Sequence, residues 1–252
     1  MKLTILGSGT SKPDGARNSA GYFIETPDAR VMLDCGAGTL HALARYNLPW
    51  EKMTHIFISH FHVDHCGELA SLFFAFKWGL QSERKEPITL IGPHGLGQVI
   101  EGLKLAFGLK LFTLKFPLEV RLLLPGESME IGAQSKLSVA KTPHTQESLA
   151  VKIESGGNSI CYTGDTDASD ELPIFFSKTD LLVSECSFRE RIEGIRHVSI
   201  KDVARMAAQS EAKRLVVTHF YFEANDKELK QELGKGYAGE ILIGRDGMIV
   251  EV

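Results

Sequence analysis

Between Ser59 and Gly67 the chain reads Ser59-His60-Phe61-His62-Val63-Asp64-His65-Cys66-Gly67, with three imidazoles and one carboxylate in six consecutive positions. The apolar run Ile56-Phe57-Ile58 precedes it directly. Neutral imidazole and carboxylate are the donor set of zinc, manganese and iron. This density leaves few uses besides metal ligation; a hydrated polar loop is the bland alternative. His60 and His62, two apart on extended chain, point the same way. Asp64 and His65 follow where the chain turns into the next apolar-periodic segment. Four such donors do not easily reach one tetrahedral centre, so His60 and His62 suit one centre and Asp64 and His65 a second. Each centre is short of ligands. The fold must therefore bring further His and Asp back to the end of the strand over residues 54–58.

Three downstream residues answer that demand. His144 lies in Thr142-Pro143-His144-Thr145, Asp165 in Tyr162-Thr163-Gly164-Asp165-Thr166 and His219 in Val216-Val217-Thr218-His219-Phe220. Each follows an apolar strand, and loops at strand ends are where a rigid sheet presents a site. Singly, each reads as a packed or solvated turn residue. With the opening cluster, they read as ligands.

A chain of 252 residues, 43% of them hydrophobic, is long enough for a full core. Both halves run strands first and then helix–strand units, which predicts two similar sheet layers covered by helices in one domain, residues 1–252. Helices are expected over 39–46, 65–78 and 199–209, and strands over 111–124 and 180–185. A tight hairpin turn is expected at Ser155-Gly156-Gly157-Asn158. Phe73, Phe74, Phe76 and Trp78 exceed what one helix face needs, so that surface is either buried on both sides or a lip or dimer contact. A net charge of −4 gives no global pull toward nucleic acid. No apolar run reaches membrane-spanning length, and Met1–Gly7 is too short for a signal peptide. Cys35, Cys66, Cys161 and Cys186 form no CxxC pair and read as reduced thiols of a cytoplasmic protein. Cys66 abuts His65 and is a minor ligand candidate. His41, His55 and His94 have no partners in the pattern and read as structural.

Asp34 after a strand, the His60-Phe61-His62-Val63-Asp64-His65 run, His144, Asp165 and His219, in that order, resemble the metallo-β-lactamase superfamily. Leu6-Gly7-Ser8-Gly9-Thr10 and Arg17-Asn18 further resemble its ribonuclease Z-like branch of phosphodiesterases. The resemblance implies an αββα sandwich, two mixed β-sheets flanked by helices, with two divalent metal ions, zinc or manganese, along one edge. It implies that His60, His62 and His144 hold one metal, that Asp64, His65 and His219 hold the other, and that Asp165 bridges. Asp34 resembles the acid that orients a ligating His; otherwise it caps a glycine turn. Ser184-Glu185-Cys186-Ser187 and His197-Val198-Ser199 resemble the branch's acid–histidine pair. The implied roles are catalytic: Asp64 at the metals, His197 on the scissile phosphate and leaving oxygen, and Glu185 holding His197 in place and protonated. Arg189, Arg191 and Arg196 crowd the loop between them, as phosphate grips or as solvated charge.

The branch's long Gly/Pro-rich tRNA-clamping arm is missing, because His144 to Asp165 holds only two strands and a turn. The expected activity is hydrolysis of a small or nucleotide-like phosphodiester, with RNA a less favoured partner and a homodimer an open option. The alternatives are tRNA 3′-end processing, lactone or thioester hydrolysis, and metal binding without catalysis. β-Lactam hydrolysis and a di-iron redox role fit the residues least.

Overall fold

Apolar side chains on both faces of most strands require that each sheet be covered twice, and four layers meet this demand. In the computed structural model, which describes residues 1–252, the first sheet contains β1 (Lys2–Gly7), β2 (Gly21–Glu25), β3 (Arg30–Leu33), β4 (His55–Phe57), β5 (Ile88–Gly92) and β6 (Leu118–Leu122). The second contains β7 (Ser128–Glu130), β8 (Ser135–Lys141), β9 (Leu149–Ser155), β10 (Asn158–Tyr162), β11 (Leu181–Glu185), β12 (Arg214–Thr218) and β13 (Glu240–Ile243). The last strand, β14 (Ile249–Glu251), returns to the first sheet and pairs antiparallel with β1. Each sheet thus has seven strands, ordered β14-β1-β2-β3-β4-β5-β6 and β13-β12-β11-β10-β9-β8-β7. Strands β3 to β6 and β10 to β13 are parallel, and the other neighbours are antiparallel.

Strand alternation sorts the side chains. Leu3, Ile5, Tyr22, Ile24 and Phe57 face the second sheet and pack on Val139, Val151, Ile153, Tyr162 and Val183. Leu6, Phe23, Met32 and Ile58 face outward. They lie under α1 (Thr39–Arg45), α3 (Leu69–Trp78) and α4 (Leu96–Phe107), with the short α2 (Val63–Cys66) leading into α3. On the far side, Cys161, Leu182, Leu215 and Val217 lie under α5 (Leu172–Phe175), α6 (Ile200–Gln209) and α7 (Asp226–Leu233). Each fully buried Leu, Ile or Phe contributes roughly 1.5–3 kcal/mol relative to exposure, so these three clusters hold the layers together. The result is the expected αββα sandwich.

Three expectations need correction. The helix over 65–78 is broken at Gly67-Glu68. There the Cys35 N–H donates to the His65 carbonyl (2.6 Å) and the Glu68 N–H to the Cys35 carbonyl (2.9 Å), and these bonds take the backbone out of helical register. The strand over 111–124 shrinks to Leu118–Leu122. Leu111, Phe112 and Phe116 are instead buried in turns against the helical layer, with Phe112 4.5 Å from Phe73. Burial on both sides of α3 does not hold: Phe73 and Phe76 are buried, whereas Phe74 and Trp78 are 58% and 66% exposed. The four-residue α5 has no amphipathic period to reveal it in the sequence.

Direction decides where the site forms. Strand β9 is antiparallel to both neighbours, so β8 runs the same way as β10, β11 and β12. Their carboxyl ends open on one rim, where ligands gather in sheets of this kind. The carboxyl ends of β3 and β4 meet that rim, as the Tyr162 O–H to Asp34 Oδ2 bond across the sheets shows (2.7 Å). No helix is long and apolar enough to cross a membrane.

Candidate metal centre

All seven candidate donors meet at this rim, in two overlapping groups. In the first, His62 Nδ1 lies 3.1 Å from both His60 Nε2 and His144 Nε2, and Asp165 Oδ2 lies 3.7 Å from each of those two nitrogens. In the second, His219 Nε2 lies 3.4 Å from Asp64 Oδ2, and His65 Nε2 lies 3.9 Å from it. Asp165 Oδ1 completes that group, 3.2 Å from His65 Nε2 and 3.5 Å from His219 Nε2. Four ligands at about 2.0–2.1 Å from a tetrahedral ion stand about 3.3 Å apart. The observed separations scatter around that value. Asp165 turns one oxygen to each group.

The donors also fit a cation chemically. His65 Nε2 and Asp165 Oδ1 are buried without a hydrogen-bond partner. Orphaned polar atoms are costly unless something satisfies them. Burial and the neighbouring His65 push the His60 imidazole strongly toward its neutral form. Burial likewise lowers the pKa of His144. Burial works against the Asp165 charge, yet His219, His65 and His60 outweigh it and hold the carboxyl well below its usual range. His65 is held well above the ordinary histidine value, because Asp165 and Asp34 overcome its burial. Asp165 is thus held ionised and His60 and His144 lean to the neutral form, the states that ligation requires, while His65 carries a proton that a bound cation would displace.

A second layer fixes the rings. Asp34, fully buried, accepts the Ser59 N–H (2.7 Å), the Ser59 O–H (2.8 Å), the Tyr162 O–H (2.7 Å) and His65 Nδ1–H (2.7 Å). The Ser59 hydroxyl in turn accepts from His60 Nδ1–H (3.0 Å). His144 Nδ1–H donates to the Arg196 carbonyl (2.7 Å), 52 residues away. His219 Nδ1–H donates to the Ser187 hydroxyl (3.0 Å), and that hydroxyl donates to Glu185. Asp34 and His219 both take left-handed backbone, φ +57° and +60°. Strain of this kind costs on the order of 1–3 kcal/mol per residue and persists where surroundings over-determine it.

Glu185, at the end of β11, is buried, and its carboxylate also accepts the Thr166 N–H and His197 Nδ1–H (2.9 Å to Oε2). With its oxygens thus engaged, Glu185 is a hydrogen-bond hub, although it stands within ligating distance of Asp165, His197 and His219. Burial opposes a charge on His197, but the Glu185 bond and the Glu185 and Asp165 carboxylates overcome it and raise the pKa.

Other candidates lie apart. Cys66 Sγ donates to the His62 carbonyl (3.4 Å) and joins none of the donor groups. His55 starts β4, at the opposite end from the rim, where burial lowers its pKa to about 4. Arg191 forks onto Asp167 (2.9 and 3.1 Å), Arg189 reaches toward Glu228 and Glu232, and Arg196 Nη1 donates to the His144 carbonyl (3.1 Å). Sequence reasoning missed Ser59, Tyr162, Ser187 and the Arg196 carbonyl. Only Ser59 and Ser187 carried a signal, as hydroxyls flanking named site residues.

An αββα sandwich with a His/Asp metal-binding cluster along one rim defines a metallo-hydrolase of the metallo-β-lactamase fold, ribonuclease Z-like in kind. “Probable metallo-hydrolase YhfI” of Bacillus subtilis is 28% identical over 254 residues, spanning all of both chains. The crystal structure of that protein matches with a TM-score of 0.85, over 100% of this chain and 98% of its own. Ribonuclease Z of Mycobacterium bovis is 24% identical over 276 residues, 100% of this chain and 98% of that one. Human tRNase Z, short form, superposes with a TM-score of 0.80 at 24% identity, over 100% and 99% of the two chains. Within this class the particular family is plain. Residues 1–238 match the family model described as Anti-Pycsar protein Apyc1, and the chain belongs to that family.

Proposed function

We propose that this chain is a phosphodiesterase that works with two divalent cations, zinc or manganese, on a small or nucleotide-like diester. His60, His62 and His144 would hold one cation and Asp64, His65 and His219 the other, with Asp165 shared. When bound there, divalent cations supply Lewis acidity and positive charge for a phosphoryl group, and they acidify water. The observation that carries the reading is the Glu185–His197 couple beside the donors. His197 Nδ1 is engaged by Glu185 at 2.9 Å, and the ring stands next to His144 (centroids 4.8 Å apart). The Glu185 bond and the nearby carboxylates raise the His197 pKa and so favour its protonated form. His197 then contacts the scissile phosphate and gives its proton to the departing oxygen, the task of a general acid.

The size of the substrate follows from the interval between His144 and Asp165. It contains only β9, β10 and a two-glycine turn, with Gly156 and Gly157 at φ +59° and +84°. No arm extends there to follow a nucleic-acid backbone. Processing of tRNA 3′ ends is the second reading, favoured by the relatives named ribonuclease Z. Lactone or thioester hydrolysis does not need the Glu185–His197 couple. A purely structural metal site is closed on all sides, whereas His62 is exposed.

The 252 residues read as one domain, because β14 completes the sheet that β1 begins. Exposed Phe74 and Trp78 on α3 support a homodimer contact. Four free cysteines are in keeping with a cytoplasmic setting. The deciding assay gives metal-loaded protein three substrates: bis(p-nitrophenyl) phosphate, a nucleoside p-nitrophenyl phosphate and a precursor tRNA with a 3′ trailer. The proposal expects turnover of the small diesters and none of the tRNA. Clean tRNA cleavage would transfer the protein to the second reading, and turnover of lactones alone would sink both.

A further inference from the structure

His197 closes a loop in which every residue from Arg189 to Arg196 is exposed and Gly194 takes φ +79°. Glu185 holds only its Nδ1. Nδ1 meets Glu185 Oε2 (2.9 Å), Oε1 (3.1 Å) and Ser187 Oγ (3.4 Å), but contacts at one atom set a position and leave the ring free to swing about it. The His144 and His219 rings, 4.8 and 5.7 Å away, limit that swing, and two aromatic rings outside these ligand candidates limit it further. Phe188 stands edge-on to His197 with centroids 6.0 Å apart at 74°, and Tyr221 does the same at 6.1 Å and 65°. The two rings stack on each other at 5.6 Å and 12°. Tyr221 also meets His219 at 5.6 Å.

Both rings are locked from behind. Phe188 pairs with Ser199 across an isolated parallel bridge, and its carbonyl accepts the Ile200 N–H (3.1 Å). The Tyr221 N–H donates to the Ser187 carbonyl (3.1 Å), and its hydroxyl bonds to Ser11 Oγ (2.9 Å). The segments on either side of the exposed loop are therefore tied together at the root of His197. Side chains at a reacting centre act only when their rotamers are fixed by packing and outer hydrogen bonds.

We infer that Tyr221 and Phe188 are positioning residues, the aromatic side of a clamp completed by His144 and His219, which holds His197 in the plane from which it delivers its proton to the leaving group. The inference rests on the phosphodiesterase reading above and on the role given there to His197. It makes a specific demand. A loosened clamp harms chiefly substrates whose leaving oxygen needs a proton, since p-nitrophenolate departs without one.

The test uses the metal-loaded full chain and two substrates that share a nucleoside. One is thymidine 5′-(p-nitrophenyl phosphate), and the other is thymidylyl-(3′→5′)-thymidine, whose leaving group is an alkoxide. Tyr221→Leu and Phe188→Leu are expected to lower kcat on the dinucleotide by about ten- to a hundred-fold. Their effects on its KM, on the kcat for the nitrophenyl ester and on the metal content should be far smaller. Tyr221→Phe, which keeps the ring, should lose far less than Tyr221→Leu. In the NMR spectrum, the Nδ1–H resonance assigned by its loss in His197→Gln should broaden in Tyr221→Leu and stay sharp in Tyr221→Phe. Equal losses on both substrates, or losses confined to KM, would overturn the clamp. His197→Gln separates the two levels of the argument. If it spares the dinucleotide, the role of His197 fails; if it is leaving-group selective while both leucine variants are not, only the clamp fails.

Discussion

Asp165, His197 and Asp34 have separable consequences. Asp165 offers Oδ2 to the first donor group and Oδ1 to the second, so Asp165→Ala should lower bound metal from two ions per chain, read by mass spectrometry of the dialysed protein. His197→Ala should leave metal content unchanged and lower turnover of a diester with an alkoxide leaving group by about a hundred- to ten-thousand-fold, the range for a lost general acid. Asp34 touches no donor atom directed at the cluster, but it holds His65 Nδ1 and, through Ser59, His60 Nδ1. Asp34→Asn should weaken metal affinity by about 10- to 100-fold with the fold intact, measured by competition with a chelating dye. The candidate donors were legible in the sequence because their types are rare at this density and each follows a strand. Their outer partners were not, since a serine, a tyrosine and a main-chain carbonyl are chemically ordinary until packing brings them close.

At the scale of elements, helix α1 starts at Gly38 with no side chain of its own to cap it. The cap comes from Glu68, whose carboxylate accepts the Gly38 N–H (2.8 Å) and the Leu40 N–H (2.7 Å). This residue sits at the break between α2 and α3, so one carboxylate caps α1 and anchors the helix that carries Asp64 and His65. Glu68→Ala should cost about 1 kcal/mol, seen as a lower denaturation midpoint in urea without a change in slope. Gly164 plays the corresponding part on the second sheet. Its φ is +57°, and an added Cβ would stand 3.0 Å from Ser59 Cβ. Gly164→Ala should therefore destabilise the fold and loosen metal binding together, because the residue beside it is Asp165. By contrast, α6 was readable from its start: Ser199 and Asp202 form a capping box within the local sequence.

For the molecule as a whole, the cluster is a cost of folding that metal offsets. Burying His65 Nε2 and Asp165 Oδ1 3.2 Å apart without a well-aligned hydrogen bond is unfavourable. Removing metal with a chelator should thus lower Tm, and adding zinc or manganese back should restore it, with a gain of about 3–4 kcal/mol at 100 to 1,000 times Kd for each site. A rise in Tm on chelation would contradict the assignment of these donors. The sequence by itself determined the layers and the donor types, because strand alternation and the density of imidazoles are local patterns. It also bounded the site, since the short His144–Asp165 interval leaves no room for an arm. Only the tertiary structure decided that Asp165 divides its oxygens between two groups, that α2 and α3 are separate, and that Tyr221 and Phe188 lie together beside His197. Those facts depend on how strands distant in sequence are aligned at one rim. Alignment across a sandwich is set by the packing of both sheets together, which no short stretch of chain encodes.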